Sequence, residues 1–132
     1  MYGRRRPAWL AVAVAALAAA ACGSSGSAAF SASASARSLH AAGWAATSSA
    51  GMPHTLAGVR QSGYLDVVAP DGAHLSLQFI ADAAGAAKEL RAIQVRQPNF
   101  AGTAIANVLV VPTSAAQPPA QDLAGIRAHL RH

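Results

Sequence analysis

Five histidines, one cysteine and a loop carrying an arginine, an amide and an aromatic ring are the parts of this 132-residue sequence from which chemistry could be built. His129 and His132 stand three apart at the chain end, a spacing that sets two imidazoles on one face of a continued helix and could begin a metal site. No cysteine or carboxylate neighbours them in sequence, and His40, His54 and His74 are dispersed, so no metal or cofactor is expected. His74, Asp66 and Ser76 could supply a Ser-His-Asp set, but any hairpin gathers such types by chance, and no Gly-x-Ser-x-Gly elbow exists to hold a nucleophile. Paired carboxylates for glycoside cleavage would have to come from five acidic residues, of which Asp71 reads as a turn residue, Asp82 as a helix cap and Asp122 as part of a helix start, each with a local structural job already. The stretch Arg96-Gln-Pro-Asn-Phe100 is different. Arg96, Asn99 and Phe100 on one turn form a candidate loop for binding a glycan or a peptide.

The cysteine, Cys22, follows a basic opening (Arg4, Arg5, Arg6) and a fourteen-residue run from Ala8 to Ala21 without a charged side chain. These are the n-region and h-region of an export signal. As a helix the run spans about 21 Å at about 1.5 Å per residue, short of the roughly 30 Å hydrocarbon layer. Ala19-Ala20-Ala21-Cys22, followed by Gly23-Ser24-Ser25-Gly26, resembles the lipobox of bacterial lipoprotein precursors, although Ala19 stands where that family usually has leucine. The resemblance covers about the first 26 residues and implies that the Cys22 thiol is joined to diacylglycerol, with cleavage just before it. Two acyl chains, at about 0.8 kcal/mol per buried methylene, hold a small domain at a bilayer durably. The same polyalanine also offers small-x-small sites to an ordinary signal peptidase, so simple secretion is the alternative.

Alanine supplies 36 of the 132 residues and inflates the 53% hydrophobic content, because a methyl group buries little apolar area. The remaining large apolar side chains suffice for one two-layer core. Three of the ten cations sit in the export signal; the other seven, against five acidic residues, are scattered singly, without the basic stripe and interleaved aromatics of a nucleic-acid binder. Nucleic acid is therefore excluded as a partner. With one cysteine, a disulfide-stapled scaffold is excluded too.

Composition divides the chain into the signal at 1–21, a lipidated cysteine with a Gly/Ser/Ala spacer at 22–35, and a domain at 36–132. A short helix is expected over Ser35–Ala42, closed by Gly43, with Trp44 packing back on it. Tyr64–Ala69 and His74–Ala81 flank Pro70-Asp71-Gly72 and predict a hairpin, in which Leu75, Leu77 and Phe79 face the core while His74, Ser76 and Gln78 face away. Asp82 caps a helix over Ala83–Ala92; Ile93–Arg96 reads as a short strand, Thr103–Val111 as one buried strand, and Ala120–Leu130 as a closing helix. The expected fold is α+β, a small antiparallel or mixed sheet of about four strands with helices on one face, in the order α-β-β-α-β-β-α. The resemblance and the missing chemistry together point to a non-catalytic binding or interaction module at the outer face of the cell membrane. It would be held in membrane lipid through Cys22, with an envelope protein or a wall polymer as partner. An accessory subunit of a larger assembly, signalled by exposed Trp44, Tyr64 or Phe100, and an enzyme with an unrecognised site are the other readings.

Overall fold

A computed structural model describes residues 29–48, 54–113 and 117–132; the expected export signal, Cys22 and the first part of the expected spacer lie outside the described residues. The fold is α+β. Helix α1 (Ala32–Ala41) is followed by β1 (Ala45–Ser48), β2 (Gln61–Val68), β3 (His74–Ile80), α2 (Ala83–Arg96), β4 (Thr103–Ile105), β5 (Val108–Pro112) and α3 (Ala120–His129). The five strands pair antiparallel throughout in the order β1-β2-β3-β5-β4.

Local chemistry explains most element ends. Ser31 caps α1 by accepting from the Ala34 N–H, and the Gly43 and Trp44 amides donate back to His40 and Leu39. Gly43 has φ +90°, the left-handed conformation this closure needs. Trp44 is then buried against α3, where a side chain on Gly125 would come within 2.8 Å of the indole. Between β2 and β3, Gly72 at φ +90° follows Pro70 and Asp71, and the Gly72 amide donates to the Ala69 carbonyl. Asp82 caps α2 by accepting from the Gly85 N–H at 2.6 Å.

Leu75, Leu77 and Phe79 of β3 join Leu65, Val67, Val108 and Val110 in the main core, closed by α1 and α3 through Leu39 and Ile126. The other face carries a smaller core of Ile80, Leu109 and Ala86, with Leu90 and Ile93 of α2 packed on it. The helices therefore lie on both faces of the sheet, and the expectation of a single helical layer is corrected. Val108 to Val111 signalled the second layer, because a continuously apolar strand needs cover on both sides.

Four further expectations change. Ile93–Arg96 continues α2 instead of forming a strand, since nothing breaks the helix before Gln97, which is extended ahead of Pro98. Thr103–Val111 is two strands: Ala106, at φ +51°, and Asn107 turn the chain so that Ile105 pairs with Val108. Strand β1 is additional, a short edge strand of four residues whose Ala-Ala-Thr-Ser sequence carries little strand signal. Finally, α1 begins at Ala32, inside the expected spacer, and Phe30 packs on the main core.

Phe30 is held by Asn107, which is 1% exposed. The Asn107 side chain pairs with both backbone groups of Phe30, accepting from its N–H at 2.8 Å and donating to its carbonyl at 3.1 Å, and also donates to the Ile80 carbonyl at 2.8 Å. The chain end closes the same corner: the His132 ring stacks on Phe30 at 4.8 Å, and the Ser31 amide donates to the Arg131 carbonyl. Replacing Asn107 with alanine leaves buried backbone groups unpaired and is expected to cost about 3 kcal/mol in chemical denaturation. Ala106→Gly, which relieves a left-handed alanine and leaves the amide in place, is expected to be neutral or stabilising by up to about 1 kcal/mol.

Candidate functional site

A groove of about 570 Å³ lies beside the C-terminal half of helix α2. Glu89 and Ile93 of α2, Gln78 of β3, Val111 of β5, the loop Gln97–Ala101, and His54 and Leu56 bound it. The volume lies within the range of about 300–1,000 Å³ common for small-molecule sites.

The loop singled out in the sequence supplies one wall. Gln97-Pro98-Asn99-Phe100 is a turn closed by the Phe100 amide on the Gln97 carbonyl. Gly102 lets the Phe100 ring lie against the strand: a Cβ there would collide with that ring and sit 2.6 Å from the Val110 carbonyl oxygen. Phe100 is half-buried and Asn99 exposed, and both line the groove. Arg96 does not line it; as the exposed last residue of α2 it is outside the group that the loop brings together.

The opposite wall depends on Glu89. Its side chain is 2% exposed, and its two oxygens accept from the Leu56 and Ala57 amides at 2.9 and 2.8 Å. A buried carboxylate thus ties down a segment that has no regular secondary structure, and its acceptors are taken by the backbone.

Gln78 is the exception in this accounting. It is 9% exposed, it lines the groove, and its Oε1 has no hydrogen-bond partner. Across the ladder it faces Tyr64 on β2 and Leu109 on β5. Most buried amide oxygens have a donor, and leaving one without costs about 1–3 kcal/mol. A second hollow of about 700 Å³ near the start of α1 is lined by Ser31, Ser62 and Tyr64, whose hydroxyls are engaged with Ala34, Phe79 and Ser76, and also by Ser48 and Arg60.

The remaining sequence candidates go elsewhere. Ser76 donates to Asp66 Oδ1 at 3.2 Å and accepts from the Tyr64 hydroxyl at 2.9 Å, so Tyr64, not His74, is the third member of that set. A carboxylate bonded directly to a serine is a weak base for it, and the arrangement is a cross-strand hydrogen-bond ladder. His129 Nδ1 bonds the Ser38 hydroxyl at 3.1 Å while His132 stacks on Phe30, so the two imidazoles serve different partners. No group of three or more metal-ligating side chains gathers among the described residues. Trp44 is buried and Tyr64 half-buried; Leu56 and Val95 are the large apolar side chains exposed among the described residues. Cys22 lies outside the described residues, and among those described no helix is long and apolar enough to cross a membrane.

Two carboxyls meet where the β2–β3 turn approaches α3. Asp122 is buried with Oδ2 lacking a donor; burial first, and then the neighbouring Asp71 carboxyl, raise its pKa above the ordinary carboxylate value. Asp71 is lowered, chiefly by the Ala73 amide and then by the Gln121 side chain. Gln78 and Asp71 share the hairpin's chemistry but not its site, and neither the orphan oxygen nor the acid pair carries a signal in composition or periodicity.

Comparison with protein-family models, with curated proteins and with solved structures finds no match to this chain. The groove's own chemistry is thus the guide to function.

Two outcomes follow from these contacts. Glu89→Gln sets an amide NH₂ against a backbone donor; it is expected to lower stability by about 2 kcal/mol and to speed hydrogen exchange at the Leu56 and Ala57 amides. At Asp122 the folded chain keeps a proton that the unfolded chain releases, so this group's contribution falls as pH rises through the carboxylate range; Asp71 acts oppositely, losing its contribution as pH falls. Asp122→Asn is therefore expected to raise Tm by a few degrees at pH 7, with the gain vanishing below the carboxylate range, as followed by thermal melts against pH.

Proposed function

We propose that this protein is an exported, lipid-anchored binding module at the outer face of the cell membrane, which captures a ligand of the envelope in the groove beneath the C-terminal half of α2. The observation that carries the binding half of this reading is the groove itself, about 570 Å³ bounded by Gln78, Glu89, Ile93 and the Gln97–Ala101 loop. Of the other polar side chains around it, Gln97, Asn99 and Thr113 do not ionise and Glu89 is committed to the backbone, so among the described residues exposed His54 is the one ionisable group left over, without a second to work with it, which favours recognition over acid–base catalysis.

The anchoring half rests on Cys22 in its sequence context: a basic start, an apolar run too short to span, and a small-residue stretch that resembles a lipobox. Lipid on the Cys22 thiol gives the durable attachment that a single acyl chain lacks. The partner is membrane lipid on one side and an envelope protein or wall polymer on the other.

Cys22→Ser tests the anchor. The wild-type chain is expected in the membrane pellet and the detergent phase, with the intact mass of an acylated protein beginning at Cys22; the variant is expected in the aqueous phase. An unmodified wild-type mass overturns the anchor. For the groove, detergent-purified full chain is expected to bind washed, delipidated envelope at least about tenfold more tightly than its Gln78→Leu variant.

A further inference from the structure

Resting on the reading of Cys22 as a lipid anchor, we infer that the outer face of α2 is the surface this domain turns to the bilayer, docking on anionic phospholipid headgroups through Lys88, Arg91 and Arg96. Three observations converge. The first is charge. All three cations of α2 are exposed, whereas α1 carries Arg37 alone and α3 carries Arg127 opposed by Asp122 on the same helix. The one carboxylate of α2, Glu89, is turned inward and takes the Leu56 and Ala57 amides. None of Lys88, Arg91 and Arg96 meets a carboxylate among the described residues. A face of one sign without partners of its own is drawn to a surface of the other sign, over a Debye length of roughly 10 Å at 0.1 M salt.

The second is Val95, which is 82% exposed. At about 100° per residue it projects between Lys88 and Arg91, the three lying within about 60° of arc. They point away from Ala86 and Leu90, which pack on the sheet. At a headgroup boundary the valine and the methylene stems of its neighbours leave water together, while the charges reach phosphate. An acidic wall polymer would answer the cations and leave Val95 wet, so the pairing of the two favours the bilayer.

The third is where the chain enters. Ala29 and Phe30 line a small hollow of about 140 Å³ with Asp82 and Ala83, so the entry point lies beside the first turn of α2. Six residues, Gly23 to Ala28, separate it from Cys22. Fully extended, the path from Cys22 to Ala29 covers about 25 Å at about 3.5 Å per residue, less than the roughly 30 Å width of a domain of this size. An acylated Cys22 therefore keeps the domain against the lipid. The 14 residues of α2, about 21 Å at about 1.5 Å each, start at the point of attachment, where the helix can lie along the surface.

The test is the acylated full chain reconstituted in vesicles of phosphatidylcholine alone or of its mixture with phosphatidylglycerol. Cys22 is the chain's only cysteine, so once it is acylated Val95→Cys, or Ala124→Cys on the helix across the sheet, offers one free thiol for a fluorophore. Quenching by a lipid-borne nitroxide is expected at position 95 in the anionic vesicles and not at 124, and it is expected to fall away in about 1 M salt. Lys88→Gln, Arg91→Gln and Arg96→Gln together remove the charge and keep good helix formers. They are expected to lower the docked-to-free ratio about a hundredfold, roughly fivefold per cation, with Tm little changed. Quenching that is the same at 95 and 124, the same in neutral and anionic vesicles, or indifferent to the three glutamines overturns the docking and leaves the anchor intact. If position 95 stays in water on anionic vesicles while washed wall polymer holds the chain through the same cations, the partner is the polymer and the bilayer is wrong. A chain whose intact mass shows no acyl group removes the anchor, and this inference with it.

Discussion

One side-chain amide organises this domain. Asn107 sits in the two-residue turn between β4 and β5 and pairs with Phe30 through both its donor and its acceptor, as a neighbouring strand would, while also holding the end of β3. That arrangement fixes where the chain enters the fold, which in turn sets α1 over the main core and lets the C-terminus close over Phe30. It also helps to retain a left-handed alanine at position 106, a conformation that costs roughly 1–2 kcal/mol and that a sequence usually assigns to glycine. A fully satisfied buried amide of this kind is stabilising, and one partner fewer would make it a liability.

The two faces of the sheet then divide the labour. The face under α1 and α3 is uniformly apolar and holds the larger core. The α2 face is mixed: apolar under the helix, polar along Tyr64, Asp66 and Ser76, with Gln78 between the two regimes. A groove with one unsatisfied acceptor lies at that border because α2 covers the sheet only in part. The larger core and the groove thus lie on opposite sides of the same strands.

Much of this architecture was legible in the residues. Pro70-Asp71-Gly72 between two alternating segments, Asp82 before an alanine-rich run, and Gly43 ahead of Trp44 each carry a local mechanism, and each appears where that mechanism places it. The misreadings have physical sources as well. Thr103–Val111 hides its turn because Ala106 lacks the glycine signature, although an asparagine inside a strand is itself unusual. Phe30 looked like an isolated apolar residue in a spacer, since its partners, Asn107 and His132, are far away in sequence. At the groove, the residues Arg96, Asn99 and Phe100 read as one turn; Asn99 and Phe100 line the groove and Arg96, the last residue of α2, does not. Nothing in the sequence sets Glu89 apart from its helix neighbours, and Gln78 reads only as facing away from the main core, because burial by a segment such as 54–57 leaves no periodic trace.

The placement of Phe30 has a mechanical corollary. Any tension on the chain preceding it passes into the Asn107 turn at one end of β5, whereas Thr113, just past the other end of that strand, borders the groove. A pull between Phe30 and the groove would therefore run lengthwise along hydrogen-bonded strands, which must slip together to yield, and would not unzip them one bond at a time.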